Sequence, residues 1–339
     1  MADYHQVQAE RNRRSRLKKR KRQLGVSLFI LVMVILLALS ISYISYLKSR
    51  LREAETISHQ IDISKTDPVK AETWDKSTEQ TGESQENGDS PVSMVESIEE
   101  IEAGKPVRRT KQEVLRRLEE LGADNPLIKE ISENSFLYPD DLLKALANNP
   151  EMAQFAAGYP DGADGQAKGL SDAEKEAGFP LFLQWDPRWG YEEYGDDSMV
   201  GVAGCGPTCL SMVLFSLTRD ESLTPDVIAR YSMESGYYVQ GTGTAWALME
   251  DVCWRYGVRE RKAEISETEI KYALDQGGAA ICSMAPGDFT DTGHFIVIYG
   301  YDQDGFWVND PNCVSRSRKK WSWQTLKGQI KSVWTYTRE

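Results

Sequence analysis

The apolar pattern of this chain changes period near residue 278, and that change constrains the fold more than any other feature. From residue 205 to residue 276 apolar side chains recur at helical spacing, with Cys209, Met212, Val213 and Leu217 in a first run and further helices expected over 224–235, 245–256 and 267–276. From Ala279 the apolar residues gather instead into β-branched and aromatic runs, 279–284, 295–299 and 306–308, divided by Gly and Asp turns. Helices first and antiparallel strands second predict a segregated α+β fold of about 160 residues, enough for one good core.

Reactive residue types sit at the join. Cys205 opens the run Cys205-Gly206-Pro207-Thr208-Cys209, where Pro207 suits a first helical turn and Gly204 permits a tight approach. A thiol near its free pKa of about 8.5 is mostly protonated at neutral pH, and the unpaired N–H groups of a helix start favour the thiolate. Of the three histidines, His5 and His59 fall in segments read as lying outside the folded domain, so an imidazole base for Cys205 must be His294. Asp310 follows in Asn309-Asp310-Pro311. If the strands around 295–299 and 306–308 form a hairpin through Asp302-Gln303-Asp304-Gly305, His294 and Asp310 meet at the same end of it. Taken singly, these are a small buried thiol, a core histidine and a turn-forming aspartate. Their order, nucleophile, base and orienting carboxylate, favours a catalytic site.

Four stretches in this order, 179–190 (Phe-Pro-Leu-Phe-Leu-Gln-Trp-Asp-Pro-Arg-Trp-Gly), Gly204-Cys205-Gly206-Pro207-Thr208, Gly293-His294-Phe295 and Asn309-Asp310-Pro311, resemble the C39-like peptidases of bacteria, a papain-fold group. The resemblance covers residues 179–339. It implies Cys205 as nucleophile, His294 as general base, Asp310 as the residue that orients the imidazole, and Gln184 as the oxyanion-hole side chain. One departure concerns Gln184: papain-type enzymes carry that glutamine about six residues before the cysteine, where this chain has Met199, so an intervening loop over 192–202 must bring it back.

Other motifs fail. Asp302-Gln303-Asp304-Gly305 lacks the glutamate that closes a calcium loop, and Gln240-Gly241-Thr242-Gly243-Thr244 lacks the Lys-Ser/Thr of a phosphate loop and reads instead as the cap of the helix at 245–256. Nothing has zinc-ligand spacing, so no metal and no cofactor is expected. The five cysteines permit, with Cys205 kept free, three pairings of the other four or none.

The N-terminal part carries a location signal. Residues 25–47 contain no charge over 23 positions, about 35 Å of helix, which spans a bilayer core of about 30 Å. Nine Lys or Arg lie between Arg11 and Arg22 and few follow, which keeps residues 1–24 cytoplasmic and exports everything beyond 48. A cleavable signal peptide is the competing reading, but its apolar region would be shorter and end in small residues. The basic patch is then topology signal and lipid contact rather than a nucleic-acid site, since the net charge is −12. Residues 48–105, polar and poor in aromatics, read as a disordered linker, 106–157 as short amphipathic helices too few for a core of their own, and 158–178 as a loop before the domain at 179–339.

The expected activity is hydrolysis of peptide bonds through an acyl-enzyme by a membrane-anchored extracytoplasmic cysteine peptidase. The same triad would also serve an amidase, endopeptidase or acyltransferase acting on cell-wall peptides, and a non-enzymatic surface module on the same fold is the third class.

Overall fold

The Cys205–Thr218 helix is apolar around its whole circumference, and the fold leaves it no solvent face: Gly206 to Phe215 and Leu217 are all buried. This is seen in a computed structural model that describes residues 91–98, 103–162 and 168–339. The basic segment, the expected membrane span at 25–47 and the linker as far as residue 90 lie outside the described residues. Among the described residues no helix is long and apolar enough to cross a membrane.

A short hairpin, β1 (Tyr238–Val239) and β2 (Gly243–Thr244), precedes a larger sheet of six antiparallel strands. These are β3 (Val258–Ala263), β4 (Ala279–Met284), β5 (His294–Asp302), β6 (Gly305–Asn309), β7 (Lys320–Trp321) and β8 (Ile330–Arg338), in the spatial order β3-β8-β4-β5-β6-β7. Period-2 alternation sorts the side chains between two faces. Ile281, Phe295, Val297, Trp334 and Tyr336 pack with the Cys205–Thr218 helix on one face. Cys282, Met284, Ile296, Ile298 and Val333 pack on the other with Ile270 and Leu326, from the helices Glu267–Asp275 and Trp323–Lys327. Covered on both sides, β4 is buried at all six positions, which is why its sequence is apolar at all but Ser283. The β5–β6 hairpin forms with Asp302 opposite Gly305, whose φ of 145° few residues but glycine adopt readily.

Several expectations need correction. The first half is not purely helical, because β3 (Val-Arg-Glu-Arg-Lys-Ala) joins the sheet as an edge strand whose charged side chains hid it. Residues 240–242 form the β1–β2 turn and Gly243–Thr244 are β2 itself rather than a helix cap, and the helix expected over 245–256 is broken into Leu248–Asp251 and a 3-10 turn, Cys253–Tyr256. The loop at 158–178 contains a helix, Asp172–Glu176, opened by a capping box in which Ser171 accepts from the Glu174 N–H and Glu174 accepts from that of Ser171.

Ahead of this domain lie the helices Lys111–Gly122, Pro126–Glu133 and Asp140–Asn148. Thr110 and Glu113 form a capping box at the first, and Asn125 with Pro126 starts the second. Their apolar stripes, including Leu118, Ile131, Leu142 and Leu146, share one core with Leu183, Trp185, Met199 and Val314 of the later domain. The polar stretch before them is also drawn in: the Met94 N–H donates to Asp186 Oδ2 at 2.9 Å and the Ala103 N–H to Ser315 Oγ at 3.1 Å. Residues 91–98 and 103–105, read from composition as linker, therefore lie against the domain.

Candidate active site

Cys205 is the first residue of its helix and half-buried. The backbone there is crowded: a Cβ on Gly206 would lie 2.7 Å from Thr244 Oγ1, and one on Gly204 2.5 Å from the Val200 carbonyl. Glycine on both sides of the thiol thus lets β2 and the preceding turn close around it.

His294 begins β5 and Asp310 directly follows β6, so the hairpin delivers both to one end. His294 Nε2 lies 2.7 Å from Asp310 Oδ1. That bond occupies Nε2 and leaves Nδ1 for the thiol. Cys205 and His294 line the same cleft, of about 300 Å³, and the nearby sulfur is among the influences that raise the histidine pKa. Burial works against the imidazolium, but the Asp310 carboxylate and the Cys205 sulfur outweigh it and push the pKa up to about 10. Burial would likewise raise Asp310, yet His294, Arg316 and the Asn312 N–H together hold its carboxyl below the usual range.

Asp310 is fully buried and its acceptor sites are filled from several sides. Arg316 Nη1 donates to Oδ2 at 3.0 Å and the Asn312 N–H to Oδ1 at 2.9 Å, while the Asp310 N–H donates to Ser317 Oγ at 2.8 Å. The loop carrying Asp310 and Arg316 is fixed from the helical region: Glu151, itself buried, accepts the N–H groups of Val314 at 2.6 Å and Ser315 at 2.9 Å. The Asn149 amide and Trp185 Nε1 both donate to the Asn312 carbonyl, the latter at 2.9 Å.

Gln184 is brought back as the spacing demanded. Residues 192–199 fold into a narrow excursion, with the Tyr194 N–H on the Ser198 carbonyl at 3.1 Å and the Val200 N–H on that of Glu192 at 2.9 Å, so the Gly201 N–H reaches the Gly190 carbonyl at 2.8 Å. Gln184 then lines the groove beside His294. Its amide nitrogen donates to the Gly201 and Val202 carbonyls at 3.1 and 3.2 Å, and its buried Oε1 has no partner. In this conformation the amide secures the turn leading into Cys205 rather than pointing into the cleft.

The Trp185-Asp186-Pro187-Arg188-Trp189 stretch has a structural role that sequence reading missed. Arg188, buried, forks onto Glu174 at 2.7 and 2.8 Å and onto Asp186 at 2.9 and 2.7 Å, with its guanidinium 4.3 Å above the Trp189 ring. Breaking a pair of this kind costs about 3–5 kcal/mol, because the surviving partner stays buried and unpaired. None of the five cysteines is paired, and all but Cys205 are buried. Burial pushes the Cys253 and Cys313 thiols up to about 12 and raises Cys209 and Cys282 further.

A thiol, an imidazole and a carboxylate thus come together where helix meets sheet. Residues 176–339, just under half of the chain, match the model of the Peptidase_C39 like family. Two solved structures are similar over part of the chain. One is the peptidase domain of Streptococcus ComA, a bi-functional ABC transporter involved in a quorum sensing pathway, at 18% identity over 40% of this chain and 93% of that one, with a TM-score of 0.32. The other is described as a C39-like peptidase from Bacillus anthracis, at 14% identity over 48% of this chain and 95% of that one, with a TM-score of 0.30. No curated protein gives a significant match.

Proposed function

We propose that the protein is a papain-like cysteine peptidase, anchored in the membrane by residues 25–47 and working on the extracytoplasmic side. The observation that carries the catalytic reading is the 2.7 Å contact between His294 and Asp310 in the cleft that also holds Cys205. The Cys205 thiolate, paired with the imidazolium, attacks the carbonyl carbon of a peptide bond. A sulfur–carbon bond forms, the carbon–nitrogen bond breaks, and His294 gives its proton to the departing amine. Water deprotonated by His294 then hydrolyses the thioester, releasing the new carboxyl group and the thiol. Asp310, held by Arg316, keeps the ring turned with Nδ1 toward sulfur and stabilises its charged form. The developing oxyanion is met by backbone N–H groups at the helix start and by Gln184 once its amide turns away from Gly201 and Val202.

Alkylation tests the site. At pH 6–7 iodoacetamide should modify Cys205 well ahead of the other four cysteines, His294→Ala should slow it, and Cys205→Ala should abolish peptide hydrolysis. Slow labelling of Cys205 that ignores His294→Ala would leave a binding module. The anchor reading is supported by the uncharged run and its charge asymmetry. Protease added to intact cells should digest the domain; a domain protected until lysis would reverse the topology.

A further inference from the structure

The groove at the site consists of two cavities that meet at His294. One, of about 300 Å³, is lined by Cys205 and His294 with Ala203, Tyr238, Gly243 and Thr244. The other, of about 490 Å³, is lined by His294 and Gln184 but not by Cys205. Val202, Thr292, Gly293 and Asp141 line both, so the two run into each other. Chemistry assigns the halves. The acyl carbon must bond to sulfur, while the leaving nitrogen must sit at the imidazole that protonates it. The acyl side of a peptide therefore belongs in the first cavity and the leaving side in the second.

The far wall of the leaving-side cavity comes from outside the C39-like domain: Val107, Arg108, Arg109, Lys144 and Asn148 all belong to the helical region. Arg109 is half-buried there and fixed by neutral acceptors, its guanidinium donating to the Val107 carbonyl at 3.3 Å and to Asn148 Oδ1, which also takes the Val107 N–H at 3.0 Å. Glu113, the acidic residue closest to it along the chain, is committed to the Thr110 N–H and hydroxyl, both at 2.8 Å. Lys144 is neutralised by Asp141 at 2.7 Å. Among the described residues neither Arg108 nor Arg109 has a carboxylate at ion-pair distance; with Lys144 set against Asp141, and Asp291 as the other carboxylate of the lining, the leaving side keeps a net positive charge. The acyl side carries Asp197 instead.

We propose, resting on the peptidase reading above, that the leaving side of the groove is an anion subsite in which Arg109 and Arg108 receive a carboxylate located within a few residues after the scissile bond. An acidic side chain and a free α-carboxylate share this chemistry.

The test uses the full chain in detergent micelles and fluorogenic peptides with a randomised acyl side and Glu, Gln or Lys after the cut, each as free acid and as amide. Glu should exceed Lys by about tenfold in kcat/KM at low salt, narrowing at about 1 M salt. A free acid outpacing its amide assigns the α-carboxylate, and Glu outpacing Gln among the amides assigns the side chain. The double variant Arg108→Gln, Arg109→Gln should erase the Glu-to-Lys ratio, and Arg109→Lys alone should keep most of it. Because the readout is a ratio within one enzyme, lost folding cancels. Equal rates for Glu and Lys, or a ratio unmoved by the double variant, would overturn the subsite and leave the peptidase intact. Binding of the same peptides to Cys205→Ala, followed by fluorescence anisotropy, is read in parallel. If nothing is cut, the peptidase reading falls, and the Glu-to-Lys binding ratio, with its loss in the double variant, decides the subsite alone.

Discussion

The helix that presents Cys205 is held from within the C39-like domain, whereas the segment that presents Asp310 is held in part from outside it. Around Cys205 the contacts are apolar packing and close backbone approach, from Met212, Val213 and the sheet face of Phe295 and Val297, and they belong to residues 176–339. Around Asp310 they are directional bonds, and decisive ones come from Glu151, Asn149 and the segment at 103–104. Packing tolerates small shifts, while a buried carboxylate over two N–H groups has one good position. The thiol end is thus held by the matched region itself, and the carboxylate end draws also on residues that precede it.

The largest effect should come from cutting the chain at that family boundary. A fragment of residues 179–339 exposes Leu183, Trp185, Met199 and Val314 and loses Glu151, so it should show no cooperative thermal transition and a loss of turnover of at least about a hundredfold. A stable fragment as active as the full chain would erase the asymmetry.

Next in size is Glu151→Ala, which leaves the Val314 and Ser315 N–H groups buried without an acceptor and should cost about 2–4 kcal/mol in denaturant unfolding. Peptide hydrolysis should fall further than Cys205 alkylation, because the slackened loop misplaces the imidazole and not the sulfur. Equal losses in both would show that Glu151 supports only the fold.

A smaller structural change, Asp310→Asn, should act on the titration of His294. The wild-type imidazole should titrate near pH 10 by proton NMR, and the variant at a lower pH, because the main influence raising it is gone. The sign follows from a raised pKa: stability carried by charged His294 is complete below about pH 6.5 and is lost as pH rises toward about 10. A wild-type midpoint near 6.5 would break this account. The smallest effect belongs to the opposite end of the same hairpin. There Lys320 meets Asp302 and Asp304 at the surface, and Lys320→Ala should leave both the denaturant midpoint and turnover nearly unchanged.

What could be read in the sequence divides along the same line. Cys205, His294 and Asp310 were legible because histidine is scarce and the β5–β6 hairpin carries plain turn chemistry. The supports of Asp310 were not. Glu151 and Arg316 stand in polar stretches where most charges are solvated, and only tertiary contact makes them buried partners. Residues 91–98 and 103–105 were missed for a related reason, since Met94 and Ala103 are too few apolar side chains to signal docking and their bonds are made by backbone N–H groups. The helix at Asp172–Glu176 was within reach, because Ser171 and Glu174 spell a capping box. Gln184 was placed beside the groove, but the bonds that turn its amide toward Gly201 and Val202 have no trace in composition or spacing.

The distribution of the thiols sets how this protein meets an oxidant. Four of its five thiols are sealed in the interior, and among them only Cys205 is open to a reagent in solution. Peroxide would therefore drive the oxidation of Cys205 from sulfenic to sulfinic acid, at the one atom that the proposed hydrolysis needs, before any thiol of the core is touched. Oxidative injury would silence the protein while leaving its fold whole, and a reductant supplied at the sulfenic stage would restore it.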